Sequence, residues 1–149
     1  MRIKITALML FLSLFGSSAF SQSTSEFIVI DEIAENLSVA ESQYLGHTNV
    51  FHTNGIKSGA LEQISVALKN VEVDVLHIYV STKPGALVFN SHALIPETLS
   101  EFSKELSNWR SSVSQEVIIH SENVFTGTQG ELLKQMLEEL TGLTITAKK

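Results

Sequence analysis

The chain has 149 residues, 44% of them hydrophobic, a formal charge of −6 and no cysteine. The length suits one domain that can bury a core without staples, and the missing thiol excludes a disulfide framework, a cysteine nucleophile and a thiolate metal site. Excess negative charge opposes adhesion to phosphate backbones and anionic lipid, which sets nucleic acid aside as a partner.

Met1 to Ser21 has a basic start (Arg2, Lys4), an apolar core from Ile5 to Phe15 and a small-residue exit at Gly16 to Ser21. This is the layout of a secretory signal, with cleavage expected after Ser21. The apolar stretch falls short of the ~20 residues a bilayer-spanning helix needs, so no stable anchor is expected after cleavage. A lipoprotein anchor would need a cysteine. The expected mature chain of 128 residues carries 8 basic and 16 acidic groups, a charge of −8. It is expected in the periplasm or outside the cell, with residues 22–25 as a flexible terminus and residues 26–149 as a single domain.

From Glu26 onward, strand and helix patterns alternate. Phe27-Ile28-Val29-Ile30 is an uninterrupted β-branched run stopped by Asp31, as expected of a strand covered on both faces. Glu32 to Gln43 can form a helix through Ile33, Leu37, Ala40 and Tyr44, although Asn36 and Ser38 weaken it. Val50-Phe51-His52 is a short strand closed by the turn pair Asn54-Gly55. Ser58 then precedes a helix whose stripe is Leu61, Ile64, Ala67 and Leu68, with Ser58 as its expected cap.

Val73 to Val80 is the strongest strand pattern in the chain. Pro84-Gly85 breaks it, and Ala86 to Phe89 with His92 to Ile95 around Asn90-Ser91 reads as a hairpin. Pro96 opens a helix that turns Leu99, Phe102, Leu106 and Trp109 inward. Val117 to His120 is the next central strand. A last helix from about Thr128 to Leu140 presents Leu132, Leu133, Met136, Leu137 and Leu140, stops at Gly142, and leads into a strand at Leu143 to Ala147. This order implies an α/β fold: a mainly parallel five-stranded sheet with helices on both faces and a small β-hairpin after the third strand.

In such sheets ligands gather outside the carboxyl ends of the strands. The residues placed there are Asp31, Ser81, Thr82, His120, Glu122 and Asn123. Asp31 is an acid that could meet a ligand or cation, though capping the following helix explains it more simply. Ser81, His120 and an acid can be drawn as a hydrolytic grouping, but Ser81 lacks the Gly-x-Ser-x-Gly elbow that exposes a nucleophile. His77, inside a central strand, reads as a core or hydrogen-bonded imidazole. His47, His52 and His92 are scattered, and no His-x-x-x-His or Glu-x-x-His pair marks a metal site. No motif asks for a cofactor.

The segments FIVID (27–31), LEQISVALKN (61–70), VDVLHIYVSTKPGALVF (73–89) and EVIIHSENVFTGTQGELLKQMLEELTG (116–142) resemble the domain-of-unknown-function 4347 family, found in bacteria and often at the front of large surface or adhesin-like proteins. In that family the third strand typically ends in a Ser-His-Gly-x-Pro-Gly turn and the fourth in Tyr-Gly-Cys. Their placement is similar to the His and Cys loops of caspase-like peptidases, which implies a caspase-like three-layer sandwich. Here Ser81 lies where the turn histidine would be and Thr82 replaces the glycine after it, while Pro84-Gly85 is retained. Ser121 and Glu122 stand where Gly-Cys would be. The resemblance therefore implies a relative without the reactive pair: an exported noncatalytic module for a protein or cell-envelope partner. Two alternatives stay open, a secreted hydrolase using Ser81 with His120 and an accessory of cell-surface adhesion.

Overall fold

The computed structural model describes residues 24–55 and 58–149, and the expected signal segment lies outside them. Five strands form the main sheet: β1 (Glu26–Asp31), β2 (Val50–Thr53), β3 (Val73–Tyr79), β7 (Val113–His120) and β8 (Thr144–Lys148), in the spatial order β2-β1-β3-β7-β8. Every pairing in it is parallel. Four α-helices connect the strands: α1 (Leu37–Gln43), α2 (Ala60–Leu68), α3 (Ser103–Asn108) and α4 (Gly127–Thr141). Among the described residues no helix is long and apolar enough to cross a membrane.

Alternation along each strand divides the sheet into two faces. Phe27, Val29, Leu76, Ile78, Val117 and Ile119 form one, packed with Leu61 and Ile64 of α2, Leu106 of α3, Trp109, and Leu133 and Leu137 of α4. Ile28, Ile30 and Tyr79 point the other way and pack on Ala34, Ala40 of α1 and Tyr44. Helices do cover both faces, but unequally. The strand order explains it, because β1 connects leftward to β2 while every later crossover runs rightward, and right-handed connections in opposite directions place their helices on opposite faces.

The hairpin expected after β3 is one strand larger. β4 (Ser81–Lys83), β5 (Ala86–Val88) and β6 (Ala93–Leu94) make a separate antiparallel sheet, with Lys83 opposite Ala86 across Pro84-Gly85. Pro84-Gly85 is thus a turn rather than a break: Gly85 has φ 79°, the type II position that glycine fills without strain. Its N–H donates to Val124 O at 2.8 Å, docking the hairpin tip on the loop after β7.

Several boundaries move from the sequence expectation for local reasons. The first helix begins at Leu37 instead of Glu32, because the chain after Asp31 first makes turns. The segment after Pro96 turns before a 3₁₀ stretch at Leu99–Phe102 leads into α3. Ser58 does not cap α2. Its N-cap is Gly59, and the Ala60 N–H is taken by Ser91 Oγ at 3.0 Å from the β5–β6 connection. Leu132, expected inward, is 40% exposed, whereas Gly142 ends α4 in the left-handed conformation as expected. At the amino end, Ser25 exchanges hydrogen bonds with Asp74, so anchoring of the chain begins one residue before β1.

Candidate functional site

The carboxyl ends of the main sheet are Asp31, Thr53, Tyr79, His120 and Lys148. Parallel order and the reversal at β1/β3 make this end the expected ligand side. A cavity of about 430 Å³ opens there beside β3 and β7, bordered by Thr82, His120, Ser121, Glu122 and Asn123, by Glu35, Asn36 and Val39 around the start of α1, and by Lys149. That volume suits a small ligand or one side chain.

The sequence candidates separate into three groups. Asp31 is fully buried and consumed by structure: Oδ2 accepts from Thr53 Oγ1 at 2.6 Å, and Oδ1 from the N–H groups of Ile33 (3.2 Å) and Asn90 (3.1 Å). It ties β1 to β2 and to the small sheet, and the expected helix cap proves instead to be a turn contact, since α1 starts six residues later. Ser81 lies outside the cavity lining, with Oγ donating to Glu35 Oε1 at 3.3 Å. Among the described residues no hydrogen bond joins Ser81 to His120. Thr82, His120, Glu122 and Asn123 do share the cavity.

Two hydroxyls close the floor. Thr82 Oγ1 and Ser121 Oγ are 2.7 Å apart, both buried, bridging the exits of β3 and β7. Ser121 Oγ also accepts from the N–H groups of Asn123 (3.2 Å) and Val124 (3.1 Å), a serine turn that ends β7 at His120 and swings the chain toward α4. Because the strand stops there, alternation no longer governs where Glu122 points. Its Oε1 meets Lys149 Nζ at 2.7 Å on the surface, a contact of little energetic weight.

Beside the cavity runs a polar chain that spacing in the sequence does not announce. Glu26, Ile28 and Ile30 of β1 register with Val75, His77 and Tyr79 of β3, which places Glu26, His77, Tyr79 and His120 on the α1 side of the sheet. Glu26 Oε1 lies 3.0 Å from His77 Nε2, and His77 Nδ1 lies 2.9 Å from His120 Nε2. The Tyr79 ring stacks on His120 with centroids 3.9 Å apart and planes 6° apart, and its hydroxyl pairs with Tyr44 at 3.0 Å. Burial, then His77 and Lys148, push the His120 imidazole down to about 4, so it is neutral at pH 7. Burial and the Tyr44 hydroxyl raise the Tyr79 phenol, which stays protonated. His77 is therefore the hydrogen-bonded core imidazole expected from its place in the strand.

Other depressions offer less. One of about 380 Å³ lies at the amino ends of β3 and β7, but its Asp74 is already satisfied by Ser25 N–H and Ser114 Oγ. His92 stacks on Phe102 and bonds Ser91 away from the cavity. Among the described residues no group of three or more His, Asp or Glu side chains is arranged to hold a metal.

Sequence reasoning missed Glu35, Asn36, Val39 and Lys149, which reach the cavity only through the fold. It also missed the linkage of Glu26 to His120, for which the shared alternation of His77, Tyr79 and His120 was the available signal. Compared with known proteins, the chain matches one family model, Domain of unknown function (DUF4347), over residues 27–149. Neither the curated proteins nor the solved structures yielded a match.

Proposed function

The chain belongs to the DUF4347 family, and we propose that this member is an exported, noncatalytic binding module whose ligand enters the cavity at the carboxyl ends of β3 and β7. One observation carries the reading: the positions where the family resemblance puts a histidine and a cysteine hold Ser81, bonded to Glu35 at 3.3 Å, and Glu122, paired with Lys149 at 2.7 Å, while the neighbouring Thr82 and Ser121 hydroxyls bond to each other at 2.7 Å. A nucleophile needs an adjacent base, and neither hydroxyl has one. Ser81 is bonded to Glu35, a carboxylate, with no imidazole to accept its proton in attack. The caspase-like relation supports the same conclusion, since its reactive pair is replaced at both positions. The cavity itself remains open and polar, which favours recognition over decoration.

Purified protein lacking residues 1–21 is expected to show no turnover of fluorogenic peptides or esters. Peptide and glycan fragments released from the cell envelope are expected to shift the amide resonances of Thr82, His120, Ser121 and Asn123. Turnover that disappears in Ser81→Ala would overturn the reading and restore the hydrolase. Export rests on the Met1 to Ser21 pattern, and amino-terminal sequencing of the mature product is expected to begin at Gln22.

A further inference from the structure

His120 is the cavity group whose proton the fold assigns. A carboxylate only accepts, so Glu26 Oε1, 3.0 Å from His77 Nε2, requires that nitrogen to carry the hydrogen. In the neutral His77 ring Nδ1 is then a bare lone pair, and His120 Nε2 at 2.9 Å donates to it. The proton of a neutral His120 is thereby fixed on Nε2. Its Nδ1 is left as an acceptor, with no partner among the described residues. The stack on Tyr79 and the Tyr79–Tyr44 hydroxyl pair hold the ring plane, so the lone pair has a fixed direction.

Taking the binding reading as its basis, we propose that Glu26 and His77 lock His120 as a neutral acceptor and that the cavity receives a primary ammonium group. The chemistry of the lining selects that class. His120 Nδ1 accepts, and Glu35 engages only Oε1 with Ser81 and the Thr82 N–H. On the rim Glu122 and Lys149 offset each other, which leaves Glu35 as the net charge of the lining. An ammonium brings three donors and no acceptor, whereas a phosphate or carboxylate would confront the Glu35 carboxylate and a lone pair. Val39 adds apolar surface where the methylene stem of a lysine would lie. Glu26 and His77 are positioning residues. They reach the ligand only through His120.

Imidazole ¹⁵N spectra at pH 7 are expected to show an imine-type Nδ1 and a pyrrole-type Nε2 for His120. His77→Gln should convert this to a tautomer mixture. Nα-acetyl-lysine N-methylamide and glycine N-methylamide present the ammonium on a side chain and on a chain end. One or both should shift the His120 resonances with millimolar affinity, and Nα,Nε-diacetyl-lysine N-methylamide should not. His120→Phe, which keeps the stack, and the surface change Glu35→Gln should each weaken binding about tenfold. A pyrrole-type Nδ1 in the unmodified protein overturns the lock. Equal response to the diacetylated probe, or binding indifferent to both substitutions, overturns the ligand class. Should an uncharged fragment fill the cavity while both ammonium probes fail, this proposal falls and the binding module stands; peptide turnover would remove the module itself.

Discussion

The two faces of the main sheet are built from the same strands one residue apart, yet they do different things. Leu76 and Ile78 are fully buried on the face covered by α2, α3 and α4, while His77 between them points to the α1 side and joins Glu26 to His120. One face is apolar through its centre and covered by three helices, with the buried Asp31–Thr53 pair at its carboxyl end. Its counterpart mixes Ile28 and Ile30 with carboxylate, imidazole and phenol under a seven-residue helix. Placing the core on one side frees the other to carry polar groups at low cost to stability, because each of them finds a partner.

The comparison breaks first at the core. Leu76→Ala removes a fully buried side chain from the centre of the packed face and should cost ~2–5 kcal/mol in urea unfolding. His77→Gln, its neighbour in the chain, should cost distinctly less, since an amide can still exchange hydrogen bonds with Glu26. Equal losses would mean that stability is shared between the faces, and the division of labour would fail.

Asp31 tests the junction between the regions. It is fully buried and takes three hydrogen bonds, from Thr53, Ile33 and Asn90. Asp31→Ala strands those donors and should cost ~2–3 kcal/mol. Since the carboxylate lies outside the cavity lining, fragment binding in the folded variant should be unchanged. Binding lost in a folded variant would return Asp31 to the site from which its contacts remove it.

The contrast between faces also explains what the sequence could reveal. β1, β3 and β7 are legible because strands buried on both sides carry long apolar runs, and α4 because its leucines and Gly142 follow the helical pattern. β4 is not legible, since Ser81-Thr82-Lys83 has no apolar content and Pro84-Gly85 serves equally to break a strand or to turn one. The cap of α2 comes from Ser91, 31 positions away, and no local pattern encodes that. Strand register decides that Glu26, His77 and His120 meet, so the relay is invisible until the sheet is assembled. Thr82 and Ser121 were readable as departures from a family pattern, but their mutual bond depends on the pairing of β3 with β7, which sets the two strand exits side by side.

That bond supplies a smaller effect. Thr82→Val keeps the shape and removes the hydroxyl that pairs with Ser121, which should cost ~1 kcal/mol, the net worth of one neutral hydrogen bond. Ser121→Ala should cost more, because the Asn123 and Val124 N–H groups lose their acceptor as well. A double variant less damaged than the sum of the two, measured by urea unfolding, would confirm the direct coupling of strand ends.

The smallest effect is a slope. His120 sits near 4 in the fold and returns to ~6.5 in the unfolded chain, so between those values the unfolded state binds more protons. Its contribution is complete above about pH 6.5 and is lost as pH falls through the folded value. Partial exposure and screening reduce the full linkage to ~1 kcal/mol. His92, lowered by burial, slopes the same way, and Asp74, held low by the Ser25 N–H, acts only in more acidic solution. Comparison with His120→Gln therefore isolates the imidazole: the amide retains a donor toward His77 and cannot titrate. The unmodified protein should lose ~1 kcal/mol more than the variant between pH 6.5 and 4.5, read from urea midpoints at each pH. Parallel curves would mean that His120 is free to take a proton, and with that the polar face would hold a solvated imidazole instead of a locked acceptor.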